Sequence, residues 1–280
     1  MSASSGATGA SLGHRTVFTR DTPELATTYD RIAVHQFQSG KQLISDLNIS
    51  SGERVLDIGA GTGRLAAYVA KLVAPSGHVV GIDPLALRIK IAQSKAVDNF
   101  EARVGQAEDL SEFADASFDV VYMNSVFHWV EDKHRAMAEI FRVLKPNGRL
   151  GLNCQDTAHP HEAFDFIRCA FTEAGMELGH LIEHRSVSLP DHELEALVTG
   201  AGFAAYECEL RSFVDLYRDI DALLAWMSSS SFGNSLVNVS EVDFARLNGV
   251  LARLLEPKRL SGGAIRLERY LAFAAARKRR

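Results

Sequence analysis

Three glycines at alternate positions lie between an apolar segment and a helical pattern. Residues 55–64 read VLDIGAGTGR, so that Gly59, Gly61 and Gly63 separate a short strand from a helix over 64–73. Glycines in this arrangement permit a tight turn and let a ligand approach the backbone closely. The segment therefore predicts a ligand-binding loop at the carboxyl end of a buried strand.

The spacing and charge of this loop discriminate between ligands. A dinucleotide loop has glycine at its first, third and sixth positions, and Arg64 occupies the sixth position here. Asp57, two residues before Gly59, would weaken a pyrophosphate site and would favour a ligand that carries an ammonium and a sulfonium. The loop thus favours S-adenosylmethionine. An NAD(P)-dependent oxidoreductase and a non-catalytic protein that binds an adenosine ligand remain the alternatives.

A second acidic residue, Asp83, follows the next predicted strand, twenty residues after Gly63. A carboxylate there can accept hydrogen bonds from both ribose hydroxyls of either cofactor. Capping of the helix that begins near Pro84 is a second role, and both could hold together.

Strands and helices alternate around these residues. Strands are predicted at 55–58, 79–82, 100–104, 118–123 and 150–154, and helices at 23–47, 64–73, 85–97 and 133–144. Such alternation predicts a parallel sheet with helices on both faces. Further helices (162–175, 192–201, 221–229 and 242–255) and strands (204–214 and 265–275) follow, and Arg269 alone interrupts the apolar alternation of the last strand.

We predict four segments: a disordered leader over 1–20, an N-terminal cap helix within 21–50, a cofactor-binding core over 51–155, and the remainder of the same sheet over 156–280. The helices at about 219–257 interrupt two strands and predict a lid, the part of such folds that usually determines substrate specificity.

The composition limits the classes of partner. The 280 residues are 46% hydrophobic and 23% charged, which is typical of a globular protein, and the net charge of −5 gives no support for nucleic acid. Cys154, Cys169 and Cys208 have no metal-ligand spacing, and no apolar run approaches the ~20 residues of a membrane span. We predict a cytoplasmic monomer or homodimer with a small-molecule partner and with no metal, nucleic-acid or membrane partner.

Five segments together resemble the successive motifs of class I S-adenosylmethionine-dependent methyltransferases, in particular the group that includes ubiquinone-biosynthesis, biotin-pathway and trans-aconitate methyltransferases. In chain order they are VLDIGAGTGR, GIDP, VGQAEDL, SFDVVYMNSVFHWVED and EIFRVLKPNGRL, and the resemblance covers roughly residues 29–152. It implies an α/β, Rossmann-like fold with a seven-stranded, mostly parallel sheet, an antiparallel last strand and a helical lid. The implied reaction is in-line methyl transfer to O, N or S of a small metabolite, with oxygen slightly favoured.

The resemblance also implies roles for individual residues. The methionine end of the cofactor would contact Asp57, Gly59, Ala60 and Gly61, with Tyr29 over its carboxylate, and the ribose would contact Asp83 and Pro84. Ala107 and Glu108 would lie near the adenine, where Gln106 replaces the usual acidic residue. Asn124 and Ser125 would face the sulfonium and the acceptor.

His128 is the first candidate for a general base, because the pKa of histidine lies near operating pH. Shaping of the pocket is the alternative role, since relatives often carry glutamine there. His35 is a weaker candidate for the substrate site, and Phe127, Trp129 and Trp226 are candidates for an apolar substrate wall, with core packing as the alternative. The acceptor, the pathway and the need for a base are left open.

Overall fold

A computed structural model describes residues 21–95, 97–176, 188–230, 236 and 239–279. Within these residues one sheet has the strands β1 Arg54–Ile58, β2 His78–Asp83, β3 Phe100–Val104, β4 Phe118–Asn124, β5 Leu144–Gln155, β6 Phe203–Tyr217 and β7 Ile265–Lys278. Their order is β3-β2-β1-β4-β5-β7-β6, with β7 antiparallel to β5 and β6 and the other pairs parallel. The Rossmann-like fold with an antiparallel last strand is confirmed.

Helices flank this sheet on both sides. The described helices are α1 Pro23–Ile32, α2 Val34–Asp46, α3 Arg64–Val73, α4 Ala86–Gln93, α5 Lys133–Val143, α6 Glu162–Glu173, α7 Asp191–Gly200, α8 Ile220–Ser230 and α9 Glu241–Leu255. Successive strand residues point to opposite faces. Accordingly Val55 packs in a cluster with α2 and α3, whereas Leu56 packs in another with α5 and α7.

The N-terminal segment corrects one prediction, because the single helix expected over 23–47 is two helices. Ala33 has φ −71° and ψ 47°, outside the helical range, and separates α1 from α2. The start is as expected: the Thr22 side chain accepts a hydrogen bond from the Leu25 N–H at 3.2 Å, with Pro23 in the first turn. On either side of the break, α1 contacts α4 and α8, whereas α2 contacts α3 and the strands β4 and β5.

The lid segment lies between β6 and β7 in the chain, and α8 and α9 occupy it. Both helices pack with α6 in a third apolar cluster, to which Trp226, Leu251 and Leu267 belong. Residues 231–235 and 237–238 of the predicted lid lie outside the described residues. The two C-terminal strands exceed their predicted lengths, and Arg269 is buried in β7.

The predicted leader, residues 1–20, also lies outside the described residues, and the division into four segments stays a prediction. In the described part of the chain no helix has both the length and the apolar character that crossing a bilayer requires.

Candidate active site

The glycine turn follows β1 at the centre of the sheet. Strand order reverses between β1 and β4, and ligands of open α/β sheets bind beyond the carboxyl ends of strands at such a switch point. Gly59 and Gly61 have φ of +79° and +54°, which favours glycine. A Cβ on Gly59 would lie 2.1 Å from Cγ2 of Val126. Backbone conformation and space therefore both require glycine at position 59.

Asp57 lies fully buried at the end of β1. The Tyr122 hydroxyl donates to Oδ2 at 2.7 Å, while Oδ1 has no hydrogen-bond partner among the described residues. Burial raises the pKa of Asp57 to about 7, against the lowering effect of the Tyr122 hydrogen bond. A buried acceptor without a donor is costly, and a cation in the adjacent cavity would satisfy it.

This adjacent cavity, the loop cavity, surrounds the glycine turn. Its lining residues are Tyr29, Asp30, Ala33, Gln36, Phe37, Asp57, Gly59, Ala60, Thr62, Arg64, Leu65 and Asn124. It therefore brings together five predicted cofactor residues from α1, the turn and β4. Gly61 does not line it; its N–H instead donates to Asp83.

Asp83 stabilises the same turn from β2. Its Oδ2 accepts the Gly61 N–H and its Oδ1 accepts the Leu85 N–H, each at 2.9 Å. The N-cap residue of α4 is Leu85, so Asp83 is not the N-cap residue that was expected. Burial raises the pKa of Asp83, with the charge of Arg88 opposing the shift. Asp83 also lines a second, larger cavity.

The larger cavity has a volume of about 470 Å³, within the range of small-molecule sites. It is lined by Ile58, Gly59, Asp83, Pro84, Gly105, Gln106, Ala107, Glu108, Val126, Trp129, Val130, Glu131, Asp132 and Arg135. All three residues predicted near the adenine are present. Oε1 of Glu108 accepts the Glu131 N–H at 2.9 Å, which links the segment after β3 to the segment after β4.

A third cavity, the lid cavity, lies beneath α8. Its walls are Tyr29, Gln36, Ser125, His128, Trp129, Gln155, His161, Phe164, Trp226, Ser230, Arg269 and Leu271. Ser125 enters it from β4 with φ +59°, and its N–H donates to Asn153 Oδ1 at 2.7 Å. Of the predicted substrate residues, His128, Trp129 and Trp226 line this cavity.

Phe127 and His35, the other two residues predicted for the substrate site, do not line the lid cavity. Phe127 is fully buried in the cluster of α5 and α7, where an apolar ring is most stable. His35 lies on α2 with Nδ1 3.1 Å from Oδ1 of Asp215. Phe127 therefore packs in the core, whereas His35 contacts Asp215, which also contacts the wall residues His161 and Arg269.

His128 does not have the pKa that its predicted role as a general base assumed. Burial lowers the pKa of His128 to about 3, and the charge of Lys133 lowers it further. The imidazole is neutral at physiological pH, yet it is a far weaker base than a histidine that titrates near pH 7. Its Nδ1 has no hydrogen-bond partner among the described residues, so a hydrogen bond to a ligand is the interaction that the geometry offers.

A buried polar cluster that was not predicted from the sequence lies at one end of the lid cavity. Arg269 Nε donates to Asp215 Oδ2 at 2.8 Å, and His161 Nε2 lies 3.2 Å from the same oxygen. Burial alone raises the pKa of Asp215, but hydrogen bonds from His161 and His35 and the charge of Arg269 hold it below its usual value. The available signal was Arg269 itself, a charge at an inward position of an otherwise apolar strand.

Arg88, on α4, connects the lid to the N-terminal helices. It is buried, donates from Nη2 to the Ser229 carbonyl of α8 at 2.7 Å and from Nε to Asp21 Oδ2 at 3.2 Å. Its guanidinium lies 4.3 Å from the ring centroid of Tyr29. One side chain thereby joins α1, α4 and α8 around the cavities.

Arg88→Met is expected to lower the free energy of unfolding by about 3 kcal/mol, because it leaves buried Asp21 without its ion-pair partner. Hydrogen exchange of residues 220–230 should accelerate, since α8 loses the hydrogen bond at Ser229. Lys90→Met, at an exposed position of the same helix, is the matched control. Equal stability and equal exchange in the two variants would contradict this role of Arg88.

The three cavities adjoin one another. Gly59 lines both the larger and the loop cavities, Tyr29 and Gln36 line both the loop and the lid cavities, and Trp129 lines both the larger and the lid cavities. A nucleoside in the larger cavity, joined to an amino acid in the loop cavity, would therefore have its junction at the entrance of the lid cavity. The orphaned Oδ1 of Asp57 and the glycine at position 59 fit such a ligand.

Comparisons with known proteins identify the family. The profile of a family described as "Methyltransferase domain" matches residues 56–152. The chain is 34% identical over 174 residues to demethylmenaquinone methyltransferase of Lactiplantibacillus plantarum, an alignment that covers 58% of this chain and 72% of that enzyme. The chain belongs to the class I S-adenosylmethionine-dependent methyltransferases. The predicted cofactor is thereby confirmed, and an NAD(P)-dependent oxidoreductase is not favoured.

Two further comparisons concern the sequence and the fold. This methyltransferase is 39% identical to the ubiquinone/menaquinone biosynthesis C-methyltransferase UbiE of Vibrio vulnificus over 104 residues, which cover 35% of the chain and 40% of that enzyme. The fold matches Haemonchus contortus phosphoethanolamine N-methyltransferase 2 in complex with S-adenosyl-L-methionine, with a TM-score of 0.61 and 18% identity. That match covers 95% of this methyltransferase and 60% of the other chain.

Proposed function

We propose that this methyltransferase acts on a small, planar, hydroxylated ring compound that binds in the lid cavity. The observation that carries the proposal is the shared wall of the three cavities, with Tyr29, Gln36 and Trp129 at the junctions. A cofactor that spans the first two cavities would direct its reactive group at the third. The rings of Trp129, Phe164 and Trp226 suit a planar acceptor.

The protein's own residues would hold the cofactor by complementary chemistry. Asp57 would accept a hydrogen bond from the ammonium, Asp83 would bind the ribose hydroxyls, and the segment at Gln106, Ala107 and Glu108 would border the adenine. Asn124 and Ser125, at the end of β4, would separate the cofactor from the acceptor. When bound, S-adenosylmethionine supplies an electrophilic methyl group on a cationic sulfur.

Methyl transfer by in-line displacement depends mainly on positioning. Tyr29, Ser125 and Trp129 would orient the acceptor, and α8 would exclude water from above. The relatives named for demethylmenaquinone and ubiquinone/menaquinone methylation support a ring acceptor, and the latter is named a C-methyltransferase. Ring carbon therefore joins O, N and S as a candidate atom for the methyl group.

Turnover with a panel of acceptors tests this proposal. Methyl-labelled S-adenosylmethionine would be incubated with the protein and with hydroxylated aromatics, quinols, amines or thiols, and label transfer would be measured by mass spectrometry. We expect methylated product from hydroxylated ring compounds. Cofactor binding without product from any acceptor would contradict the proposal and favour the non-catalytic alternative. The Asp57→Asn variant, in which the cofactor site is impaired, is the negative control for label transfer.

A further inference from the structure

Unpartnered polar atoms concentrate in the lid cavity. Among the described residues, three buried side-chain atoms without a hydrogen-bond partner belong to its walls: Gln36 Oε1, His128 Nδ1 and Trp226 Nε1. His128 and Trp226 are only 5% and 6% exposed. Native proteins leave few buried polar groups unsatisfied, and those that remain often await a ligand or water. A ligand with polar groups of its own could satisfy these three atoms on entering the cavity.

Asp215 holds Arg269 in a fixed orientation at one end of this cavity. The carboxylate accepts hydrogen bonds from Nε at 2.8 Å and from Nη2 at 3.3 Å. His35 and His161 contact it as well, so each of its two oxygens has two partners. Phe213 supports the guanidinium, with its ring centroid 4.9 Å away. None of the described residues accepts a hydrogen bond from Nη1 of Arg269. The guanidinium therefore keeps two donors available at the cavity wall.

His161 connects this cation to Trp226. Its Nδ1 accepts the Ala163 N–H at 3.0 Å, so its proton resides on Nε2, which donates to Asp215. The His161 ring lies 5.1 Å from the ring of Trp226, centroid to centroid. Arg269 and Trp226 both line the cavity and are connected through Asp215 and His161, and both are groups that only donate hydrogen bonds.

Groups that can only donate hydrogen bonds select a ligand atom that can only accept them. We therefore propose that Arg269 and Trp226 bind an ionised oxygen of the methyl acceptor, which is a carboxylate or an ionised phenol. A charged donor in a buried site strengthens such a bond. The oxygen would lie at the end of the acceptor remote from Ser125 and Tyr29, so that the methylated atom faces the cofactor. This assignment rests on the proposed function and adds the charge of the acceptor to it.

Binding of simple probes tests the assignment without turnover. The protein, saturated with S-adenosylhomocysteine, would be titrated calorimetrically with benzoate and 4-nitrophenolate at pH 8, and with their neutral counterparts benzamide and 4-nitroanisole. We expect at least roughly tenfold tighter binding of each anion. Equal affinities within either pair, or no detectable binding of the anions, would overturn the proposal.

Trp226→Phe gives the sharpest variant, because it deletes an N–H that has no hydrogen-bond partner among the described residues. Benzoate affinity should fall roughly fivefold while thermal stability is retained. Tyr217→Phe is the matched control, since the Tyr217 hydroxyl is also buried and unpartnered but Tyr217 does not line the cavity. Equal benzoate affinity in the two variants would overturn the role of Trp226.

Arg269→Lys keeps a cation beside Asp215 but loses the planar guanidinium. It should weaken the binding of benzoate and leave the affinity for benzamide unchanged. Parallel loss of both probes would overturn the role of Arg269. Failure of the proposed function would appear separately, as absent methyl transfer in the acceptor panel.

Discussion

Asp57→Asn is expected to weaken binding of S-adenosylhomocysteine by ~30- to ~150-fold, equivalent to about 2–3 kcal/mol for a hydrogen bond to a charged group. In the parent protein the ligand ammonium would donate to Oδ1, the oxygen without a hydrogen-bond partner among the described residues. Asparagine preserves the shape and can keep the hydrogen bond from Tyr122. Isothermal titration calorimetry of both proteins measures the effect, and unchanged affinity would show that the ammonium binds elsewhere.

The same residue predicts a dependence on pH. In the unliganded site the pKa of Asp57 is about 7, so the carboxyl is largely protonated at pH 6 and ionised at pH 8. An ammonium prefers the ionised form; affinity should therefore rise with pH from 6 to 8 and then level off, with a slope of up to about tenfold per pH unit below the pKa.

Two variants check the origin of this pH dependence. Asp57→Asn should abolish it, because the group that titrates is gone. Tyr122→Phe removes the hydrogen bond that lowers this pKa, so the midpoint should move to higher pH. A midpoint that stays in place in both variants would assign the titration to another group.

Gly59→Ala is expected to lower the free energy of unfolding by about 2–4 kcal/mol and to abolish measurable binding of S-adenosylhomocysteine by calorimetry. The added Cβ would lie 2.1 Å from Cγ2 of Val126, and a φ of +79° strains any side chain. Relief of either strain would displace the turn that lines the cofactor cavities. Chemical denaturation gives the loss of stability.

A second substitution separates the two strains. Val126→Ala in the Gly59→Ala background removes the clashing methyl groups but not the positive φ, so it should restore part of the stability. Gly249→Ala, in α9 with open space around it, is the control and should be neutral or slightly stabilising. A Gly59→Ala protein as stable as the control would show that the turn adapts without strain.

Much of the fold follows from local pattern. The strand at 54–58, the glycine turn and the helix at 64–73 were predictable because apolar alternation, positive φ and helical spacing are properties of neighbouring residues. The break at Ala33 was not, since the flanking residues keep a helical pattern, while α1 and α2 contact different elements of the fold.

The candidate site divides in the same way. Residues 57–61, 83 and 106–108 belong to motifs that follow one another in the sequence, and most of them line the loop cavity or the larger cavity. Phe127 and His128 are adjacent, yet one is in the core and the other lines the lid cavity. The two residues lie in a short 3₁₀ helix, Phe127–Trp129, which was not predicted from the sequence.

The amino-acid sequence by itself determined most of the order of elements, the parallel sheet with helices on both faces and the favoured class of cofactor, because each depends on periodicity, turn chemistry or charge within a short segment. The Rossmann-like sheet with an antiparallel last strand was implied by the resemblance of five such segments to a known family. Only the tertiary structure decided the acceptor side of the site. Arg269 and Asp215 are 54 residues apart and meet because β6 and β7 pair in antiparallel register, while Gln36 and Trp226 arrive from helices at opposite ends of the chain. Such contacts depend on long-range packing, which local patterns do not encode.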